Sequence, residues 1–254
     1  IESFTKVVNT TIQEGLQNMN NLYAVMMLLK AVCSAIPRNI DSFMAEIIQV
    51  VEKLTNDVLK PLQNASTNII PTLNGSTQPP DYNTSVLIMA LQLVNSRICD
   101  LNEPRSAFLA CLTQLVEKSK DIELLRTIFE MAKQWVILKT EPFPTIEEKA
   151  NILVNMLCFE SLDDKSLMED YLNLVITIYT KPSFARTELT LKLERAFLIG
   201  TRNGSAKIRN KFMEIFDQSM IKSLSTRFNY VIAGQNWEPL AGYFWIHQAF
   251  DLLI

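Results

Sequence analysis

Three helix-length apolar patterns follow one another with only short breaks between residues 193 and 254. Gly200 and Gly234 stand where two helices would end in a left-handed residue. Ser205 and Asn236 stand where the next helices would need a side-chain oxygen at the N-cap. Helices stacked this densely are typical of arrays in which neighbours bury each other's apolar faces. This stretch therefore predicts part of an α-solenoid.

The rest of the chain carries the same periodicity. Apolar residues recur at helical spacing over 1–16, 20–36, 41–60, 85–101, 105–117, 121–138 and 184–199. Thr145 with Glu148, and Ser166 with Glu169, match the capping-box pattern of a helix start. Two helices in roughly 40 to 47 residues is the length of a HEAT or armadillo repeat. We predict an all-α, HEAT-like α-solenoid of about a dozen stacked antiparallel helices.

The helical pattern disappears over residues 63–84, where Asn, Ser, Thr, Gly and Pro predominate. About twenty residues without periodicity are more than the usual length of a connection between two helices. We therefore expect a flexible surface insertion at about 64–83. We expect the rest of 1–254 to be one solenoid segment. Pro104 is expected in the first turn of the helix predicted near 105–117, where its missing N–H costs nothing. Since the sequence begins without Met and stops in an apolar run, we also expect a fragment of a much larger chain.

The composition indicates no global attraction to nucleic acid. The formal net charge is -3 and the pI is about 5.4, so any phosphate contact would be local. The apolar runs fall short of the ~20 residues of a membrane span, and we expect no membrane partner. The cysteines lie far apart in apolar helical patterns, which predicts buried reduced thiols at Cys33, Cys99, Cys111 and Cys158.

Catalysis needs converging titratable groups, and the sequence offers few. His247 is the single histidine, in a terminal helical pattern where a packed or surface role is favoured over a catalytic base. No G-x-S-x-G elbow and no phosphate-binding glycine loop of the usual kinds occurs. The acidic pairs Glu147–Glu148 and Asp163–Asp164 stand at helix starts, where the macrodipole favours them. We therefore predict that the chain is not an enzyme and that it binds no cofactor, metal ion or small-molecule substrate.

One local concentration of basic residues begins at Arg202 and continues through Lys207, Arg209 and Lys211. Lys207 and Lys211 are four apart and share a helix face, with Ile208 and Phe212 on the opposing face. A solvated polar face explains them, and the alternative is a basic ridge that meets an acidic partner or nucleic acid. The candidate partner-binding residues are Lys207, Arg209, Lys211, Lys222 and Arg227.

An aromatic group lies farther on, formed by Trp237, Tyr243, Phe244 and Trp245. Packing between helices is the favoured interpretation, because aromatic side chains fill cores. If they were exposed, Trp and Tyr would instead make strong interface anchors. Their exposure decides between the two interpretations.

These same stretches carry a family resemblance. The run from Lys207 to Phe216, followed by Tyr230 and by segments 235–238 and 244–246, resembles the central HEAT region of the TRRAP/Tra family, the transformation/transcription domain-associated proteins. The resemblance is most specific toward the C-terminal end. Upstream it rests on compatible helical organisation.

The resemblance implies a non-enzymatic scaffold segment of a nuclear transcription co-activator. Members belong to the phosphatidylinositol-kinase-related family, with a kinase-like domain that lacks catalytic residues, and they serve histone acetyltransferase complexes of the SAGA and NuA classes. The implied partners are other subunits of such a complex and transcriptional activators. Two alternatives stay open: a solenoid receptor for transport cargo, and a solenoid that contacts nucleic acid through the ridge.

Overall fold

The computed structural model describes residues 2–60, 82–102, 104–140, 142–219 and 225. These residues form eleven α-helices and four 3₁₀ segments, and no strand occurs among them. The prediction of an all-α chain is confirmed. The chain divides into two compact units, which are described in turn.

The first unit, Ile1–Thr145, contains two rows of helices. Its helices are α1 (Glu2–Gln17), α2 (Leu22–Ala35), α3 (Met44–Leu59), α4 (Tyr82–Ser96), α5 (Arg105–Lys118) and α6 (Ile122–Ile137). Helices α1, α3 and α5 pack in one row, and α2, α4 and α6 pack in the other. Across the rows α1 packs on α2, α3 on α4, and α5 on α6. This stack of helical pairs is the arrangement that the repeat spacing predicts.

Polar contacts tie α2 to α4 at both ends. The hydroxyl of Tyr82 accepts the N–H of Tyr23 at 3.2 Å and donates to the carbonyl of Met19 at 3.3 Å. At the other end, the sulfur of Cys33 lies 3.3 Å from the hydroxyl oxygen of Ser96. Because both starts and both ends meet, the two helices run parallel, as successive members of one row must.

The second unit, Ile146–Ile254, is described as far as the eleventh helix. Its helices are α7 (Ile146–Asn155), α8 (Lys165–Thr180), α9 (Glu188–Lys192), α10 (Glu194–Thr201) and α11 (Ala206–Ser219). Helix α7 packs on α9, α8 packs on α10 and α11, and α10 packs on α11. The buried hydroxyl of Tyr171 in α8 donates to the carbonyl of Leu153 in α7 at 2.8 Å. The packed core therefore includes satisfied polar contacts.

One predicted helix, 184–199, is divided in the structure. A 3₁₀ segment, Pro182–Phe184, precedes α9, and the chain breaks again at Leu193 before α10. The hydroxyls of Thr187 and Thr190 donate to the carbonyl of Phe184 at 2.7 and 3.2 Å. Such local side-chain bonds compete with the helical pattern, which is why apolar periodicity alone was misleading.

The capping box predicted at Ser166 is wrong. Helix α8 begins at Lys165, and Asp164 is its N-cap, accepting the N–H groups of Ser166 at 2.8 Å and Leu167 at 3.4 Å. The Ser166 hydroxyl itself donates to Asp164 at 2.6 Å. A carboxylate at this end also gains from the helix dipole, which a hydroxyl does not. Helix α7 begins at Ile146, directly after the other predicted N-cap.

Two helix starts differ slightly from their predicted positions. Helix α4 begins at Tyr82, so the last two residues of the expected insertion 64–83 are helical. The remainder of that segment lies outside the described residues. Pro104 is the N-cap of α5 and not its first-turn residue. Either position suits proline, because no helical bond needs its missing N–H.

The prediction of four buried thiols is correct for one cysteine only. All four are free, Cys111 is buried, and Cys33, Cys99 and Cys158 are half-buried. Cys99 and Cys158 lie in 3₁₀ segments that connect helices, and Cys33 lies in the last turn of α2. Connections and helix ends are covered on fewer sides than helix centres, which explains the difference.

Candidate partner-binding surface

The candidate surface begins at the turn between α10 and α11. The side-chain oxygen of Asn203 accepts the N–H of Ser205 at 2.9 Å, and the carbonyl of Ser205 accepts the N–H of Arg209 at 3.0 Å. Asn favours such turns because its short side chain bonds to the backbone two residues on. Helix α11 then begins at Ala206, directly after the Ser205 that was predicted to precede it.

The basic ridge, defined as Lys207, Arg209 and Lys211, lies on α11. Lys207 and Lys211 are exposed, whereas Ile208 and Phe212 are buried. Side chains four residues apart lie on one face of a helix, so the two ammonium groups share the solvent side. The structure thus brings these two lysines together, as the sequence predicted.

Arg209 is arranged differently from the two lysines. It is half-buried, and its Nη1 donates to the carbonyl oxygen of Asn203 at 2.8 Å. A guanidinium carries five N–H donors, so this contact leaves others available. Arg209 therefore closes the turn and contributes only part of its charged group to the ridge.

Several predicted features fall outside the described residues. They are the candidate residues Lys222 and Arg227, the caps Gly234 and Asn236, His247, and the aromatic group Trp237, Tyr243, Phe244 and Trp245. Their roles stay predictions.

Arg202 belongs to the same basic run but has a structural role. Its side chain is only 11% exposed, and its Nη2 lies 2.6 Å from the Oε1 of Glu160. This ion pair joins the end of α10 to the 3₁₀ segment Met156–Ser161. Nothing local in the sequence connects the two residues, so sequence reasoning missed the pair.

A cavity of about 500 Å³ adjoins the turn. Charged residues of both signs line it, namely Glu160, Lys165, Glu169 and Arg202. Because groups of both signs line it, the cavity does not extend the positive character of the ridge. On α11, the exposed basic side chains are therefore those of Lys207 and Lys211.

Gly200 determines how α11 sits on α10. The prediction that it ends a helix in a left-handed conformation is wrong: α10 continues to Thr201, and no described glycine has a positive φ. The ring of Phe212 occupies the space that a Cβ on Gly200 would fill. The same ring packs edge-on against Phe197, with centroids 5.1 Å apart. Gly200 is thus required for close packing of α11 on α10. Because α11 carries the basic ridge, this packing also fixes the position of the ridge.

The perturbed pKa values lie away from the ridge. Burial raises the pKa of the Tyr171 phenol and of the Cys111 thiol, and a hydrogen bond with Asp41 raises the pKa of Arg97. Each change disfavours loss of a proton, so none produces a general base near neutral pH. In the part of the chain that the structure describes, no acidic, histidine or cysteine cluster could hold a metal ion, and no helix is long and apolar enough to cross a membrane.

Known proteins are similar to this chain over its whole length. Residues 1–254 match the family described as the Tra1 HEAT repeat ring region. The chain is 31% identical over 256 residues to the SAGA complex/NuA4 acetyltransferase complex subunit Tra1 of Schizosaccharomyces pombe, covering 100% of this chain and 7% of that protein. It is 33% identical over 271 residues to the transformation/transcription domain-associated protein of Homo sapiens, with the same coverage.

A third relative is the SAGA complex/NuA4 acetyltransferase complex subunit TRA1 of Saccharomyces cerevisiae. The identity is 32% over 252 residues, covering 99% of this chain and 6% of that protein. The chain therefore spans only 6 to 7% of the length of these relatives. The match to a HEAT repeat region also confirms the predicted fold class, an all-α HEAT-like solenoid. This chain belongs to the Tra1/TRRAP family, within its HEAT repeat ring region.

Proposed function

We propose that this chain is a non-enzymatic, architectural segment of a nuclear transcription co-activator subunit in acetyltransferase complexes of the SAGA and NuA4 type. The observation that carries the proposal is the two-row stack of helices in a chain of this family. In such a stack the side chains between helices are occupied by packing, and what remains for function is extended surface. Two of the relatives are named as subunits of these complexes.

Within this scaffold, the basic ridge is the proposed contact for an acidic partner. The partner is the acidic surface of another subunit or an acidic segment of a transcriptional activator. Lys207 and Lys211 are exposed on a helix whose other side is packed, so their charges have a defined position. Exposed ion pairs contribute only about 0.2 to 1 kcal/mol each. The ridge therefore orients the partner and speeds its association, while apolar contacts elsewhere supply most of the affinity.

The intact complex offers a direct test through lysine crosslinking and mass spectrometry. The informative residues are Lys207 and Lys211, together with the predicted Lys222. Reproducible crosslinks from them to another subunit or to a bound activator support the ridge as a docking surface. Crosslinks confined to other parts of the same polypeptide overturn the docking role and leave the architectural role standing.

Charge reversal provides the matched comparison. Lys207→Glu with Lys211→Glu should weaken association of the acidic partner, without unfolding α11, because glutamate has nearly the same helix propensity as lysine and at position 207 lies in the first turn, where the dipole favours it. The control is Lys118→Glu with Lys120→Glu, two exposed lysines in the first unit. Equal partner recovery with both double variants would remove the ridge from the proposal.

The nuclear location has its own test. A fluorescently tagged full-length protein should accumulate in the nucleus and co-purify with acetyltransferase activity. Recovery in the cytosol with a transport cargo, and without that activity, would favour the receptor alternative instead.

A further inference from the structure

A polar groove of about 440 Å³ lies between α4 and α6 in the first unit. The basic ridge plays no part in it. Its walls carry three side-chain amides, from Gln92 and Asn95 on α4 and Gln134 on α6. Met131, which is 3% exposed, contributes an apolar surface between the two helices. An amide-lined groove over an apolar floor is suited to a peptide and poorly suited to a compact apolar ligand.

Asn95 is held in one orientation by a buried tryptophan. Trp135 is 1% exposed, and its indole N–H donates to the side-chain oxygen of Asn95 at 2.6 Å. An indole can only donate, so it selects the oxygen of the amide and leaves the NH₂ group of Asn95 for other partners. This side chain is therefore preorganised, and a ligand that accepts its hydrogen bond would lose little side-chain freedom.

Gln92 and Gln134 add amides that solvent reaches. Both are exposed, and Gln92 is three residues before Asn95, on the same face of α4. A primary amide both donates and accepts hydrogen bonds, which is the pair of functions that a peptide backbone needs. An extended peptide has unsatisfied N–H and C=O groups all along its length. Three amides along one groove thus match the backbone of an extended segment.

Helix α6 contributes charged groups to the same groove. Glu123 is exposed there, whereas Glu130 is paired with Lys133 at 2.9 Å, and Arg126 is engaged with other groups. Of the charged residues that line the groove, Glu123 is the exposed one, so it presents a carboxylate at this end. It favours a Lys or Arg side chain, which can form a charge-assisted hydrogen bond.

We propose that the α4–α6 groove binds an extended segment of a partner protein, with its backbone on the amides of Gln92, Asn95 and Gln134 and a Lys or Arg side chain beside Glu123. Along α6, Glu123 and Gln134 are separated by roughly 16 Å at 1.5 Å per residue. An extended chain covers that distance in about five residues. This surface is additional to the basic ridge and takes a partner of opposite charge.

Fluorescence anisotropy with the full chain tests the groove. The probe is a fluorescein-labelled peptide of alternating Thr and Val with a Lys at each end. One comparison peptide is N-methylated at alternate backbone nitrogens, and another has Glu in place of Lys. We expect both comparison peptides to bind about tenfold more weakly, or less well still. Equal binding of the N-methylated peptide, or no binding of the parent probe, would overturn the proposal.

Variants locate the binding to the groove. Gln92→Ala with Gln134→Ala should weaken binding of the parent probe about fivefold or more, and Glu123→Gln should selectively reduce the preference for Lys over Glu. The matched controls are Gln114→Ala and Glu117→Gln, which alter exposed residues on α5. If the control variants reduce binding as much as the groove variants, the peptide binds elsewhere and the assignment fails.

Discussion

Gly200 on α10 lies against Phe212 on α11, and the Phe212 ring occupies the space that a Cβ on Gly200 would fill. The Phe212 side chain is fully buried, so its ring has no free space to move into. The absence of a side chain at Gly200 is therefore what allows the two helices to approach.

Gly200→Ala should lower the free energy of unfolding by about 1 to 3 kcal/mol, because the added methyl group overpacks a filled contact. This loss runs against the helix propensity of alanine, which alone would favour the variant by about 1 kcal/mol. Urea denaturation followed by circular dichroism measures the change. Gly204→Ala is the control, since nothing lies within 4 Å of its added methyl group. An unchanged midpoint for Gly200→Ala would contradict the close approach.

Tyr171 should make stability depend on pH in the alkaline range. Burial raises the pKa of its phenol, so the folded chain keeps the proton after the unfolded chain begins to lose it near pH 10. The stabilisation is complete below that pH and declines above it by about 1.4 kcal/mol per pH unit. Tyr171→Phe should remove this contribution to the fall of the unfolding free energy with rising pH. Urea denaturation at several pH values checks it, with Tyr23→Phe, at a 45% exposed residue, as the control.

Glu160→Gln should destabilise the second unit by about 1 to 2 kcal/mol, since it leaves the mostly buried guanidinium of Arg202 without its counter-charge. The expected loss is below that of a fully buried pair, because the Glu160 side chain is 34% exposed. Asp57→Asn is the matched control: its partner Lys60 is 71% exposed, and such surface pairs contribute little. Equal unfolding midpoints for the two variants would show that the Arg202 pair is no stronger than a surface pair.

Cys111 should be the slowest of the four thiols to react with iodoacetamide. It is buried, and burial raises its pKa, so both access and the thiolate fraction are reduced. Peptide mass spectrometry should find Cys33 and Cys99 alkylated about tenfold faster in the folded chain. In urea the difference should disappear. Rapid labelling of Cys111 without urea would mean that the contact between α3 and α5 opens readily.

The sequence alone determined the helical class, most helix boundaries and the solvent side of α11. These properties depend on residues within one or two turns of each other, so periodicity reveals them. The exposure of Lys207 and the burial of Phe212 follow from the same local pattern. Family membership was also recognisable, because the residues of α11 and beyond carried it.

Only the tertiary structure decided which residues meet across helices. Arg202 meets Glu160, Trp135 orients Asn95, and Phe212 fills the space at Gly200. Each contact joins residues that no local pattern connects. A helical period states which face of a helix is packed, but the neighbour on that face depends on how remote helices fit together. For the same reason, the α4–α6 groove could not be seen before the two helices were placed side by side.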